Sequence, residues 1–455
     1  MSRERETEAG LEAAIHEVGA EIVEHLPTPP RGPVAALDER AMRLTAEDPE
    51  LRTALFRLVD VTPACRSLDD LASHLTEFAE DVEEPPPPLA AAMRAAGTKP
   101  GRLALGAAVA GGVRHMAHRF IAAPTPAEAK GELRRLWSAG IGTSVDLLGE
   151  ATLTEAEADA YAARCDEALT TLAGIYSEFE PRPLLERDPD GPLSRANLSV
   201  KVTALTPLIR PEAPGRGVED AATRLRPLLA RANELGAHLH IDMESLDARE
   251  TTLGLIAELL GEEAFRGGPS TGVVLQAYLR DAAGELAEII AANSRAGRSV
   301  PLTIRLVKGA YWDHEVVEAG QHGWDPPVFS EKAESDRSFE ALTRTLIAQA
   351  RERPGTIRIA IASHNLRSVA HAIAFNRLAG GADDSLEFQV LRGLGDDLAH
   401  ALAGAGFRAR SYCPVGDLVA GMAYLVRRLL ENTANESFLA EQARGASLDT
   451  LLAAP

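Results

Sequence analysis

Residues 237–308 read AHLHIDMESLDARETTLGLIAELLGEEAFRGGPSTGVVLQAYLRDAAGELAEIIAANSRAGRSVPLTIRLVK. AHLHIDME (237–244), GVVLQAY (272–278) and PLTIRLVK (301–308) are short runs of strand character. Between them, ARETTLGLIAELL and AGELAEIIAANSRAG place apolar residues at helical spacing. Strands alternating with helices are βαβ units, and their strands pair in parallel. The alternation extends in both directions. Upstream lie GTSVDLL (142–148) and LSVKVTAL (198–205); downstream lie IRIAIASH (357–364), LEFQVLRG (386–393) and FRARSYCPVG (407–416). Eight such units are the number that closes a (β/α)8 barrel, so the expected class is α/β with a TIM-like barrel over 139–440.

The flanks have a different texture. Residues 1–90 read as an N-terminal helical arm, with amphipathic patterns in LDERAMRLTAEDPELRTALFRLVDV and LDDLASHLTEFAEDV. EEPPPPL (83–89) reads as a stiff polyproline spacer. Residues 91–138 form a helical linker that ends at Ala139-Gly140, and 441–455 form a C-terminal tail. Lys plus Arg number 47 against 67 Asp plus Glu, a net charge of −20. Nucleic-acid binding is excluded on that balance, because phosphate contacts need clustered cations. Three separated cysteines and a charged N-terminus point to a reducing cytoplasm. LALGAAVAGGV (103–113) is too short to span a bilayer.

In a barrel, chemistry sits at the C-terminal ends of the strands. Polar residues gather there: Glu150, Lys201, Asp242 with Glu244, Gln276, Arg305 with Lys308, His364 with Asn365, Gln389 with Arg392, and Tyr412. No comparable set is expected at the N-terminal ends. His238-Leu-His240-Ile-Asp242-Met-Glu244 puts four polar side chains on one strand face. A metal-dependent hydrolase could use His240, Asp242 and Glu244, but His238 and Glu244 lie at opposite strand ends and cannot share an ion. RLVKGAYWD (305–313) admits two readings: a Schiff-base lysine, or an anion- and ring-binding turn with close backbone approach at Gly309. DLVAGMAYLVRRLLEN (417–432) has an apolar stripe, with Tyr424, Arg427, Arg428 and Glu431 on the other face. That face is either solvated or, if the helix lies across the barrel mouth, a two-arginine clamp for a carboxylate. A non-catalytic barrel serving as a scaffold is the third alternative.

Together these segments resemble the flavin-dependent proline dehydrogenases, and among them the proline dehydrogenase half of the bifunctional bacterial proline utilization A enzymes. VDLLGEATLT, SVKVTAL, IDMES, VVLQAY, IRLVKGAYWD, KAESD (332–336), ASHN, LEFQVLRGLG, SYCPVG and YLVRRLLENTANESF follow the family's order over about 30–450. The resemblance implies a distorted (β/α)8 barrel whose last helix covers the mouth. It implies FAD as cofactor and oxidation of L-proline to Δ1-pyrroline-5-carboxylate, with no metal. Catalytic roles then fall to Arg305, beside flavin N5, and to Asp242 and Lys201. Met243, Gln276, Val307, Lys308, Gly309, Ala310 and Trp312 would hold the ring and its chain, Ser363 and His364 the ribityl or pyrophosphate region, and Glu431 the adenosine end. Arg427 and Arg428, with Lys201, would clamp the proline carboxylate. Tyr412, Tyr424 and Leu391 would wall the ring, and Glu150 would pair with Arg427 as a gate. Phe339 stands where the family carries a tyrosine, which removes one phenol from the adenosine region. The implied partners are a quinone or another electron acceptor, reached by transient inner-membrane contact, and an aldehyde dehydrogenase as partner or fused domain. The stop at LLAAP fits either a single-function form or an excised portion.

Overall fold

The computed structural model describes residues 2–27, 48–149, 152–417, 421 and 447–455. Eight parallel strands close a barrel: β1 (Ile141–Leu147), β2 (Asn197–Lys201), β3 (His238–Asp242), β4 (Ser270–Gln276), β5 (Leu302–Val307), β6 (Ile357–Ala362), β7 (Leu386–Leu391) and β8 (Arg408–Val415). Each overlaps one of the eight runs expected from the sequence, with β1, β2 and β4 starting one or two residues earlier. Neighbours in sequence are neighbours in the barrel, and β8 pairs back onto β1 over seven residues. The β1–β2 seam is narrow, with only Val145 opposite Leu198 and Asp146 opposite Ser199. The run at 198–205 stops being a strand at Lys201 and turns into a short helix, Val202–Leu205.

The helices that matter for the site are α1 (Ser2–Glu24), α2 (Pro49–Val61), α3 (Leu68–Glu80), α4 (Pro87–Ala95), α5 (Lys99–Phe120), α6 (Lys130–Ser138), α7 (Glu155–Ser177), α8 (Pro214–Leu235), α9 (Leu246–Gly261), α10 (Ala282–Ala296), α11 (Trp312–His322), α12 (Lys332–Glu352), α13 (Leu366–Leu378) and α14 (Asp396–Gly404). The proline run is only partly a spacer. Pro87 and Pro88 open α4, since the first helical turn leaves its N–H groups unbonded and tolerates proline. Ile15, Val18 and Ile22 of α1 are buried in the same apolar core as the barrel strands. Leu58, Leu71 and Leu75 form a separate small core among the N-terminal helices.

The floor of the barrel corrects one expectation. Asp188, Asn197, His238, Arg358, Arg408 and Arg410 are buried at its N-terminal end, with Glu387 partly buried among them. Arg358 bonds Asp188 at 2.7 Å, and Arg410 grips Glu387 at 2.7 and 2.8 Å. Arg358 and Arg410 lie in runs of strand character, and their inward side chains find carboxylates contributed by neighbouring segments.

Candidate active site

Side chains alternate along a strand, so every second residue points into the barrel. On β1 that phase brings in Ser144 and Asp146, on β2 Ser199 and Lys201, on β3 Asp242, on β5 Arg305, on β7 Gln389 and on β8 Tyr412. At the C-terminal end these groups meet. Asp242 is the hub: its Oδ1 accepts from Arg305 Nη1 at 2.6 Å and its Oδ2 from the Tyr412 hydroxyl at 2.6 Å. Lys201 Nζ pairs with Asp146 and lies 4.0 Å from Asp242. Arg305 also stands over the Tyr412 ring, 5.3 Å from its centre. Burial, together with Asp146 and Asp242, pushes the Tyr412 phenol well above its usual range, so it stays an O–H donor.

A cavity of about 360 Å³ opens above this cluster. Its wall includes Lys201, Asp242, Met243, Gln276, Arg305, Val307, Lys308, Gly309, Ala310, Ser363, His364, Leu391 and Tyr412, all expected from the sequence. Val307–Ala310 form the turn leaving β5. Gly309 has φ +133°, and a Cβ there would fall 2.4 Å from the Tyr278 ring. A glycine is therefore required, and the turn's backbone faces the cavity bare. Lys308 and Lys332 both pair with Asp336 at the rim, Lys332 at 2.7 Å. Burial raises the Asp336 carboxyl, but Lys308 and Lys332 outweigh it and hold it below the ordinary range. At the end of the neighbouring strand β6, Asn365 caps α13 by accepting from Ser368 N at 3.0 Å. His364 Nε2 accepts from Leu391 N at 2.8 Å, which locks the imidazole to the β7 end. Lysines, a helix N-terminus and a glycine turn around one cavity suit a ring attached to phosphates.

Other expected residues fall elsewhere. Trp312 opens α11 outside the cavity lining, its indole N–H donating to Phe329 O at 2.8 Å. Arg392 turns away from the mouth to pair with Glu132. Glu244 lines the cavity with its carboxylate tied to Thr203, at 3.1 Å from N and 2.8 Å from Oγ1. His238 and His240 bond each other at 3.1 Å, and burial pushes the His238 imidazole down to about 3. Among the described residues, the one His/Cys/Asp/Glu trio close enough for a single ion is Cys65, Asp70 and His74, in the N-terminal helices. Glu150, Tyr424, Arg427, Arg428 and Glu431 lie outside the described residues. Asp146, Tyr311 and Lys332 line the cavity without having been singled out. The missed signal for Asp146 is a carboxylate inside a buried strand, in phase with Ser144.

Fold and site define a (β/α)8 barrel with a buried ion cluster at its C-terminal mouth, beneath a cavity suited to an anionic, ring-bearing group. The chain belongs to the proline dehydrogenase family. The family model described as proline dehydrogenase matches residues 129–441, and that of the proline utilization A N-terminal domain matches 12–120. The bifunctional protein PutA of Escherichia coli (strain K12) is 34% identical over 359 residues, covering 75% of this chain and 25% of that one. Proline dehydrogenase 1 of Bacillus subtilis (strain 168) is 27% identical over 331 residues, covering 72% of this chain and 90% of that one. Among solved structures, proline utilization A from Bdellovibrio bacteriovorus, inactivated by N-propargylglycine, superposes with a TM-score of 0.86 at 34% identity. That match covers 97% of this chain and 44% of the other. The chain thus spans about a quarter of the length of its bifunctional curated relatives. Family membership implies a flavin cofactor. No described helix is long and apolar enough to cross a membrane.

Proposed function

We propose that this chain oxidises L-proline to Δ1-pyrroline-5-carboxylate using FAD, with residues 139–440 as the catalytic barrel. The observation that carries this reading is the Arg305–Asp242–Tyr412 cluster directly beneath the Gly309 turn. When bound, FAD supplies the two-electron acceptor for the hydride leaving proline C5. The chain's own residues supply position and charge. Val307–Ala310 and Gln276 would hold the ring system, and Lys308, Ser363 and His364 the phosphate-bearing chain. Lys201 would meet the proline carboxylate from below, and Arg427 with Arg428 would complete the clamp through charge-assisted hydrogen bonds. Tyr412 and Leu391 would wall the ring, holding it in one orientation. Asp242 holds Arg305 and Tyr412 simultaneously, so neither side chain has to reorganise when substrate arrives. Electrons would leave to a quinone at the inner membrane, through surface contact.

The test is direct. Purified protein loaded with FAD should lose its flavin absorbance when L-proline is added without oxygen. Arg428→Met should then raise KM roughly ten- to hundredfold, since a charge-assisted bond is worth ~1.5–3 kcal/mol. A protein that binds no flavin, or whose flavin proline leaves oxidised, overturns the reading.

A further inference from the structure

We propose that Gln389 is a positioning residue for the flavin reaction: its amide, oriented from below by the Glu387–Arg410 pair, fixes the plane of the Arg305 guanidinium. The inference rests on the reading of Arg305 as the cation beside the flavin. Gln389 is buried on β7, below the mouth. Its Oε1 accepts from Arg305 Nε at 2.6 Å, and its Nε2 donates to Glu387 Oε1 at 2.7 Å. Glu387 in turn receives Arg410 Nε at 2.7 Å and Nη2 at 2.8 Å, while Arg410 Nη1 donates to Thr143 O at 2.8 Å. Turning the amide over would set its NH2 against the Arg305 N–H and its oxygen against a carboxylate. Only one orientation is satisfied, and the pair below selects it.

The guanidinium has three edges to hold. Asp242 takes Nη1 at 2.6 Å, and Ser144 and Ser199 take Nη2 at 3.3 and 3.4 Å. Among the described residues, Gln389 alone is bonded to Nε. Without it the Nε edge is unheld, and the plane rests on Asp242 and the two long serine contacts. The residue type matters as much as the contact. A neutral amide holds the arginine in place without cancelling its charge, whereas a second carboxylate would neutralise the cation that a hydride acceptor needs nearby.

The experiment is a double-mutant cycle read by the reduction potential of bound FAD, with FAD affinity measured alongside. Gln389→Met should make flavin reduction about tenfold less favourable, about 30 mV for a two-electron couple, with FAD affinity within threefold of wild type. Arg305→Met should shift it further. In the Arg305→Met background, Gln389→Met should add less than twofold, because its effect passes through the missing arginine. If the methionine variant does not load FAD, Gln389→Asn, one methylene too short to reach Arg305, should give the same tenfold fall. Equal shifts in both backgrounds overturn the proposal and leave the function intact. So does an unmoved potential in Gln389→Met or Gln389→Asn while Arg305→Met responds. An unmoved potential in Arg305→Met removes Arg305 from the flavin, and the proposal goes with it.

Discussion

At Gly309 two requirements coincide: a φ of +133°, which L side chains rarely adopt, and a Tyr278 ring occupying the place of a Cβ. Tyr278 is itself pinned, since its N donates to Lys308 O and its O accepts from Phe329 N, at 2.8 and 2.9 Å. Gly309→Ala must therefore strain the backbone, at about 1–3 kcal/mol, or displace the ring and reshape the turn. We expect FAD affinity to fall at least tenfold while the circular dichroism of the barrel stays that of wild type. Fluorescence titration with FAD measures this, and wild-type affinity in the variant would take the turn out of the cofactor site. This glycine was legible in RLVKGAYWD, because a glycine after two strand-end cations has few other uses. Asp146 was not. A carboxylate inside GTSVDLL reveals its role only when the neighbouring strand β2 places Lys201 beside it, a contact between residues 55 apart.

Among the elements, the eight strands were legible because strands buried on both faces leave continuous apolar runs, bounded by amphipathic helices. The start of α4 was hidden, since four prolines in a row have the same composition whether they extend or begin a helix. Helix α10 carries a charge that its pattern does not explain. Glu285 sits in its first turn, its side chain 3% exposed, with no hydrogen-bond partner for either carboxyl oxygen. Burial pushes its carboxyl up to about 7; Arg249, 3.8 Å away, pulls it down, and Asp281, Glu250 and Glu288 add to the rise. A carboxyl whose folded pKa exceeds its unfolded value favours folding while protonated. That contribution is complete below about pH 4.5 and is lost as pH rises through 7. The gap of about 2.5 pKa units corresponds to ~3 kcal/mol at most. Glu285→Gln should thus stabilise the protein by about 1–3 kcal/mol at pH 8 and by almost nothing at pH 4. Urea unfolding at the two pH values decides it: an equal difference at both would mean the carboxyl is not buried as a neutral group.

For the whole molecule, the decisive contact joins the first helix to the sixth barrel unit. In α13, ten of thirteen residues are buried, whereas a helix on the outside of a barrel ordinarily buries one stripe. The second face is covered by α1, whose Ile15, Val18 and Ile22 are at most 1% exposed. Arg367 of α13 ties the layers together. It donates to Glu12 of α1 at 2.5 and 2.7 Å, to Glu340 of α12 at 2.9 Å and to Leu452 O near the C-terminus at 2.8 Å. The helical spacing of α1 was readable, and the missing polar face of AHAIAFNRLAG was a signal that something lies over it. Nothing in either stretch names the other, because a pairing across some 350 residues is written only in the packing. The N-terminal segment is therefore part of the barrel's outer layer. Burying three such side chains contributes about 5–9 kcal/mol, against a total stability of about 5–15 kcal/mol for an ordinary domain. A chain beginning at residue 48 should consequently aggregate, or melt well below the full chain, even though every barrel strand is present. Ile15→Ala with Ile22→Ala in the full chain should reproduce much of it, at about 2–5 kcal/mol per site. Differential scanning calorimetry of the truncated and doubly substituted chains provides the check. A soluble truncated chain melting at the temperature of the full one would show that α13 can face water, and that α1 is an appendage.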